Sequence, residues 1–156
     1  WTAARNQPLA VLTADCLPVV LMAKDASCVG IAHAGWRGLA TGVLESLLFA
    51  MPAVPASMTA WLGPAISAAA YEVGPEVKMT FEQHCGEESL NCFQASHRQG
   101  HWMADLSAMA RLRLSQAGVP AITGGDRCNH GEPEQFFSHR REGPTTGRMA
   151  TLVWLS

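Results

Sequence analysis

Residues 13–38 read TADCLPVVLMAKDASCVGIAHAGWRG, and this segment decides the fold that the sequence predicts. Its apolar runs, 17–22 and 28–32, are short and rich in β-branched residues, which is typical of buried strands. The polar residues 24–27 predict a turn between them. This short connection favours a hairpin-like pair whose outer ends lie close together.

Outward from this segment, the pattern predicts further strands and helices. Residues 9–13 and 59–62 are short apolar runs and predict strands, the first of them buried. Leucine, valine and methionine recur at three- and four-residue steps over residues 37–50, which predicts one amphipathic helix. Within the strand at 28–32, Gly30 predicts either a bulge or a close backbone approach.

The rest of the chain completes a mixed α/β or α+β domain. The sequence predicts helices over residues 75–84 and 105–117, a hairpin at 97–100, a turn at 124–126 and closing strands at 136–139 and 149–155. The order of the strands stays open.

The composition predicts one domain and disfavours several kinds of partner. The chain has 156 residues, 48% hydrophobic and 15% charged, which predicts a deep core or a surface covered by other residues or another subunit. A net charge of −2 without a basic run disfavours nucleic acid. No apolar run approaches the roughly 20 residues that span a bilayer. Because the chain starts at Trp1, we expect a fragment, a processed chain or a partial one.

The five cysteines predict a reducing environment. Their number is odd and no C-x-x-C pair occurs, which argues against a disulfide framework and against a zinc site of four thiolates. We therefore expect a cytoplasmic protein.

Cys16 and His33 are the leading candidates for chemistry, because the predicted strand pair aligns their ends. As metal ligands, a thiolate and a neutral imidazole suit zinc. As a catalytic pair, His33 would draw the proton from the Cys16 thiol. A lone cysteine beside an apolar run is more commonly a packing residue, so the spacing leaves all three roles open.

Two groups of residues could bind an anion or a planar base. Arg37, at a strand-to-helix junction, could clamp a phosphate with its planar fork. Arg140 and Arg148 lie in one basic loop, which could bind phosphate or be a solvated cluster. Phe137, beside that loop, could stack on a base or pack in the core. Multi-copper oxidases depend on His-x-His pairs, and the chain has none, so the residues disfavour laccase chemistry.

Six motifs in order carry a resemblance to a known family. They are TADCLP, AHAGWRG, WLGPAI followed by YEVG, GGDRC, FFSHRR and TGRMA. Together they resemble the laccase-domain family, also called YfiH-like or multicopper polyphenol oxidase proteins and described as purine nucleoside phosphorylases. The resemblance runs over about residues 13–155.

The resemblance implies an αββα-type layered architecture, like that of YfiH-like cysteine hydrolases, and one metal ion. The metal is usually zinc, with copper as an alternative, and it is held by one cysteine and two histidines. Cys16 and His33 match two of these ligands. The third is expected in an upstream Gln-Val-His-Gly segment that this chain lacks. We therefore expect residues 1–156 to be a single domain without roughly the N-terminal third of a family member.

The resemblance also implies an activity. Phosphorolysis would convert adenosine, inosine or methylthioadenosine to a free base and a sugar 1-phosphate, with adenosine deamination as an accompanying activity. Cys16, His33 and Arg37 would be catalytic; Arg37, Arg140 and Arg148 would bind phosphate, and Phe137 would stack on the base. The expected partners are a nucleoside and phosphate, with no nucleic acid or membrane, in a monomer or homodimer.

Three other functions stay open. Cys16 as nucleophile with His33 as base would make a cysteine hydrolase or amidase, which in relatives is linked to removing a wrongly added amino acid from a peptidoglycan precursor. Copper-dependent polyphenol oxidation is the second. The third is a non-enzymatic domain that acts only through a partner.

Overall fold

The computed structural model describes residues 1–156 and has a mixed α/β fold, as predicted. Its strands are β1 (Leu9–Thr13), β2 (Leu17–Ala23), β3 (Val29–Ala34), β4 (Met58–Leu62), β5 (Glu72–Val73), β6 (Phe93–Ala95), β7 (Trp102–Ala104), β8 (Ala121–Gly124) and β9 (Met149–Val153). Its helices are α1 (Trp36–Ala40), α2 (Val43–Ala50), α3 (Pro75–Cys85), α4 (Leu106–Gln116) and α5 (His139–Glu142). Two 3₁₀ turns, Pro55–Ser57 and Glu87–Cys92, connect them.

The predicted strand pair forms the centre of the main sheet. The four strands lie in the order β3-β2-β4-β8, with β2 antiparallel to both neighbours and β8 parallel to β4. Leu17, Val19 and Leu21 of β2 are fully buried, and burying each such side chain contributes about 1.5–3 kcal/mol. There are two smaller sheets. One consists of β1 and β9, and the other has three strands in the order β5-β7-β6.

The first strand is only half-buried, so the prediction of a buried strand at residues 9–13 was wrong in that respect. β1 pairs only with β9, and inward and outward residues alternate along it. Leu12 is 58% exposed whereas Thr13 is buried. A short apolar run does not by itself distinguish a strand with two covered faces from a strand with one.

The single helix predicted over residues 37–50 is two helices, α1 and α2. Gly42 lies between them with φ +89°, a left-handed conformation that ends a right-handed helix. The apolar period continues across the break because Leu39 and Leu44, on either side of it, enter the same core. The end of α2 also explains Gly30. A Cβ there would lie 3.0 Å from Leu47 of α2 and 2.9 Å from the sulfur of Met51, the residue that caps the helix, so the glycine permits a close approach.

The strand predicted at residues 136–139 is absent. Instead, Ser138 is the N-cap of α5, and its hydroxyl accepts a hydrogen bond from the Arg141 N–H at 3.3 Å. Serine is a favoured N-cap because its oxygen satisfies a free N–H of the first turn. The capping interaction therefore outweighs the extended tendency of the two phenylalanines before it.

The predicted helices over residues 75–84 and 105–117 and the predicted strands at 59–62 and 149–155 are confirmed within a few residues. The turn predicted at 124–126 is instead the end of β8 and an irregular segment. Helix α3 starts at its proline, and Asp105 caps α4 by accepting the Ala108 N–H at 2.8 Å. β6 and β7 form the predicted hairpin. The short strands β5 and β8 were not predicted. All five cysteines are free, and none of the helices has both the length and the apolar character needed to traverse a bilayer.

Candidate active site

The outer ends of β2 and β3 bring a thiol and an imidazole to one edge of the main sheet. Pro18 pairs with His33 in the antiparallel register. Cys16 directly precedes β2. Because side chains two residues apart on a strand share a face, continuing the strand by one residue places Cys16 on the face of Pro18 and His33, as a diagonal neighbour of His33. Diagonal neighbours lie roughly 7–8 Å apart, which allows both side chains to reach one small ligand. His33 is exposed and Cys16 is partly buried.

A glycine opposite Cys16 leaves room for the thiol. Extending the β2–β3 register by one step from Leu17 and Ala34 places Cys16 against Gly35. A Cβ at Gly35 would lie 2.9 Å from the Cys16 sulfur, closer than a real Cβ tolerates. The backbone at Gly35 has φ −76°, which any residue can adopt. The glycine is therefore needed for space.

The turn before Cys16 is held by a buried aspartate. Asp15 has φ +85°, a conformation that is uncommon outside glycine and more accessible to aspartate than to most residues. Its carboxylate accepts hydrogen bonds from the Ser138 hydroxyl at 2.7 Å and from the Arg140 backbone N–H at 2.6 Å. Its carbonyl accepts the Ile66 N–H at 3.0 Å. Asp15, in the motif TADCLP, is thus hydrogen-bonded to residues of two other motifs, WLGPAI and FFSHRR.

Arg140 and Tyr71 lie beside this turn. The Arg140 Nη1 donates to the Glu72 carbonyl at 2.8 Å, and its guanidinium carbon lies 5.3 Å from the centre of the Tyr71 ring. Burial and the negative charge of a Cys16 thiolate raise the pKa of Tyr71 to about 12. The positive charges of Arg140 and Arg37 lower this pKa, but by less. The tyrosine therefore stays protonated and lies within electrostatic range of all three groups.

The Cys16 thiol is not activated by its surroundings in the chain alone. Burial, and then the negative charge of Asp15, raise its pKa above the ordinary value for cysteine. A thiolate at this position therefore needs a further positive charge, such as a metal ion, to form readily at neutral pH.

Arg37 is exposed on the five-residue helix α1, with its guanidinium carbon 4.4 Å from the centre of the Trp36 ring. So short a helix offers few aligned peptide dipoles, and any anion binding here depends on the Arg37 side chain itself. The Arg37 guanidinium makes no ion pair with a carboxylate.

Phe137 and Arg148 lie in the loop around α5. The Phe137 ring is 47% exposed and packs against Gly147. The Arg148 Nη1 donates to the carbonyls of Thr146 and Gly147 at 2.7 and 2.9 Å. No hydrogen bond or ring contact joins either side chain to Cys16 or His33, so their roles in binding stay predictions.

The chain supplies two metal donors at this edge. Thiolate and imidazole are both ordinary zinc ligands, and Cys16 and His33 fit that chemistry. No group of three or more histidine, cysteine, aspartate or glutamate side chains in the structure is able to hold a metal ion. A catalytic zinc usually has three protein ligands, so this donor set is one short. The edge is also open, because none of the surface cavities is lined by Cys16, His33 or Arg37.

Sequence reasoning missed Tyr71, Ser138 and the setting of Cys128. Burial alone would raise the pKa of Cys128, but hydrogen bonds to its sulfur outweigh that effect and lower it. The donors include the Ser67 and Gly131 backbone N–H groups, each at 3.4 Å. A thiol that accepts backbone N–H groups has no sequence signature, because its donors are set by loop geometry. Tyr71 carried only the weak signal of its place in a motif.

The fold and the site together define a class of protein. It is a mixed α/β domain with a thiol, an imidazole and two arginines at one edge of its main sheet. The chain belongs to the multi-copper polyphenol oxidoreductase laccase family, whose model matches residues 1–156.

Curated relatives are named purine nucleoside phosphorylases. A protein of that name from Xylella fastidiosa (strain Temecula1) is 47% identical over 156 residues, covering 99% of this chain and 59% of its own length. The purine nucleoside phosphorylase YfiH of Escherichia coli is 47% identical over 146 residues, covering 94% of this chain and 58% of its own length. The chain thus spans about three fifths of the length of these relatives.

Solved structures show the same fold. A Neisseria meningitidis protein of the DUF152 group superposes with a TM-score of 0.91 at 48% identity, covering 96% of this chain and 60% of the other. YlmD from Geobacillus stearothermophilus has a TM-score of 0.91 at 34% identity, covering 98% of this chain and 58% of the other.

Proposed function

We propose that the chain carries the reaction centre of a metal-dependent purine nucleoside phosphorylase. One observation carries the proposal: Cys16 and His33 lie at one edge of the main sheet, and the Arg140 guanidinium packs on the Tyr71 ring beside that edge. The names of the relatives support the same activity. The substrates would be a purine nucleoside, such as adenosine, inosine or methylthioadenosine, and inorganic phosphate.

The two arginines would bind the phosphate. In phosphorolysis, a phosphate oxygen forms a bond to C1′ of the sugar while the bond from C1′ to N9 of the purine breaks. N9 keeps the electron pair and the base leaves after gaining a proton. Arg37 and Arg140 would orient the phosphate through charge-assisted, bidentate hydrogen bonds. Arg148 would add a contact if its side chain turned from its own loop, and Phe137 would stack on the base.

Cys16 and His33 would hold a zinc ion, with copper as the alternative, together with a ligand from outside this chain. A bound zinc ion would supply Lewis-acid chemistry and a more acidic bound water. The chain's own contribution would be to hold the thiolate and the imidazole at fixed places on the sheet edge. Gly35 serves this role by leaving space for the sulfur.

Deamination of adenosine at the same edge is the finer part of the proposal. In deamination, the oxygen of a water molecule forms a bond to C6 of the purine while the bond from C6 to the amino nitrogen breaks, and the amino group leaves as ammonia after gaining a proton from that water. A site that orients phosphate could therefore also orient water, and the adenosine-specific reaction would compete with phosphorolysis for the same bound nucleoside.

The geometry gives less support to the other functions. A cysteine hydrolase needs a readily formed thiolate, whereas burial and Asp15 raise the pKa of Cys16. Copper-dependent polyphenol oxidation, which the family's description names, would need more histidine ligands than the single one at this edge. A cysteine nucleophile would survive chelation and be lost on alkylation, whereas the proposed metal site would lose activity with a chelator.

The test measures phosphate-dependent cleavage of inosine. It compares two zinc-loaded proteins. One is the chain alone, and the other is a chimera in which the chain replaces the matching part of the Xylella fastidiosa relative. We expect hypoxanthine and ribose 1-phosphate in equal amounts from the chimera, and loss of both products in its Arg37→Ala variant. If the chimera consumes no phosphate while the parent relative does, the proposal fails.

A further inference from the structure

The Asp15 carboxylate connects the turn before Cys16 to the loop that carries Arg140. Its two oxygens accept the Ser138 hydroxyl and the Arg140 N–H at 2.7 and 2.6 Å. Asp15 is 9% exposed and Ser138 is fully buried, so water competes little for these bonds. Hydrogen bonds to a carboxylate are stronger than neutral ones. The two segments, far apart in sequence, are therefore held by one side chain.

The backbone at Asp15 is fixed as well. Its left-handed conformation persists in a non-glycine residue only where the surroundings determine it. The Ile66 N–H, which donates to the Asp15 carbonyl, is one such constraint, and the carboxylate bonds are the others. The residue directly before Cys16 therefore has little freedom to move.

Arg140 is held at both of its ends. Asp15 binds its backbone N–H, and the Glu72 carbonyl accepts its Nη1 at 2.8 Å. The guanidinium then lies against the Tyr71 ring. A change at Asp15 would free the backbone end and leave Arg140 held only through its guanidinium, by the Glu72 carbonyl and the Tyr71 ring.

We propose that Asp15 is a positioning residue, which fixes the Arg140 guanidinium relative to the Cys16 thiol and so determines where a phosphate binds at this edge. The inference rests on the proposed function in that Arg140 is taken to bind phosphate. Asp15 is positioned to act through other residues, because it is 9% exposed and both its oxygens bond to Ser138 and Arg140 of the same chain.

The test uses Asp15→Asn with Asp25→Asn as its matched control. Asparagine tolerates the left-handed backbone but has one acceptor oxygen in place of two, so it cannot accept both the Ser138 hydroxyl and the Arg140 N–H. Asp25 lies in the turn at the other end of the same strand pair, is exposed and accepts only the Ser27 N–H. Both changes remove one negative charge, and only the first weakens the carboxylate bonds to Ser138 and Arg140.

The primary measurement is phosphate affinity, by phosphorus NMR titration of the zinc-loaded chimera. We expect Asp15→Asn to weaken phosphate binding about tenfold, which corresponds to the loss of one charge-assisted hydrogen bond. The KM for phosphate should rise by a similar factor, and kcat should change little. Asp25→Asn should match the wild type. Hydrogen exchange of the Arg140 amide should accelerate in Asp15→Asn while exchange in β2 stays the same.

The outcomes separate this inference from the proposed function. Weaker phosphate binding in Asp15→Asn alone, in a chimera without phosphorolysis, would refute the proposed activity and keep the positioning role. Wild-type phosphate affinity in Asp15→Asn overturns the positioning role, whether or not nucleosides are cleaved. A lower unfolding temperature with unchanged phosphate affinity also overturns it, because that is the result of a purely structural role. Absence of phosphate binding by the wild-type chimera overturns both.

Discussion

The Cys16 sulfur occupies the space that a side chain at Gly35 would need. A Cβ at position 35 would come within 2.9 Å of that sulfur. The two residues face each other when the register of β2 and β3 is continued by one step beyond Leu17 and Ala34. The strand pair therefore provides the cysteine and also the gap into which its thiol fits. Changes at Gly35 should affect the thiol before they affect the fold.

Gly35→Ala should displace the Cys16 thiol while the protein stays folded. The added methyl group must push the sulfur away, because the backbone at Gly35 already suits alanine. We expect zinc affinity of the chimera to fall at least roughly tenfold, the size of effect seen when a metal ligand loses its orientation. Gly131→Ala is the control, since its Cβ would meet nothing closer than 3.7 Å. Equal zinc affinity in Gly35→Ala and wild type would show that the thiol has room to spare.

Tyr71 should titrate with a midpoint of about 12 in the folded chain. It is the one tyrosine in the sequence, so phenolate absorbance reports it alone. In denaturant the midpoint should return to about 10. Rapid mixing into alkali separates the folded titration from unfolding. A native midpoint near that of the denatured chain would place Tyr71 in solvent.

The same shift predicts how stability depends on pH. Because the folded pKa is raised above the unfolded value, the contribution of Tyr71 is fully present below about pH 10 and is lost as the pH rises through about 12. Tyr71→Phe removes the titrating group and should reduce this alkaline loss of unfolding free energy. Urea unfolding at pH 8 and pH 11 measures it. If the unfolding free energy falls equally in the wild type and in Tyr71→Phe between pH 8 and pH 11, Tyr71 is not the group responsible.

Cys128 should react with alkylating agents before Cys16 does. Hydrogen bonds from the Ser67 and Gly131 N–H groups lower the Cys128 pKa, whereas burial and Asp15 raise that of Cys16. At neutral pH, with a chelator present, more Cys128 is therefore thiolate, the reactive form. Peptide mapping after brief iodoacetamide treatment measures both sites. In denaturant the two should react alike, and faster labelling of Cys16 in the folded chain would contradict the prediction.

Helix α2 should depend on one face for its stability. Leu44 is 1% exposed and Phe49 is 94% exposed on the same helix. Leu44→Ala should lower the unfolding free energy by roughly 2–5 kcal/mol through the lost contacts and the cavity left behind. Phe49→Ala should change it by no more than about 0.5 kcal/mol. Urea unfolding compares them, and similar losses would mean that α2 packs differently.

Local patterns were sufficient to predict the parts of the fold that depend on neighbouring residues. The strand pair around residues 24–27 and the Asp105 cap are short-range features, and both are present. The same reasoning placed Cys16 and His33 at one edge, because the length of the connection fixes which strand ends meet. The spacing of the apolar residues alone could not show the break at Gly42, because the break is caused by the backbone conformation of that residue.

The rest of the site depends on contacts between distant residues. Ser138 follows an extended apolar run, and its hydroxyl donates to Asp15, which lies 123 residues away in the sequence. Tyr71 gains its raised pKa from burial and from charges on other loops. Neither effect has a spacing rule. Without knowledge of which loops meet, these residues could not be predicted from sequence.

The zinc affinity of the chimera and its ligand variants tests the central claim most directly. Competition with a chromophoric chelator measures the dissociation constant for the wild type, Cys16→Ala, His33→Ala and the control Cys128→Ala. We predict that each ligand variant binds zinc at least roughly tenfold more weakly, and that Cys128→Ala binds as the wild type does. Wild-type zinc affinity in both Cys16→Ala and His33→Ala would contradict the account.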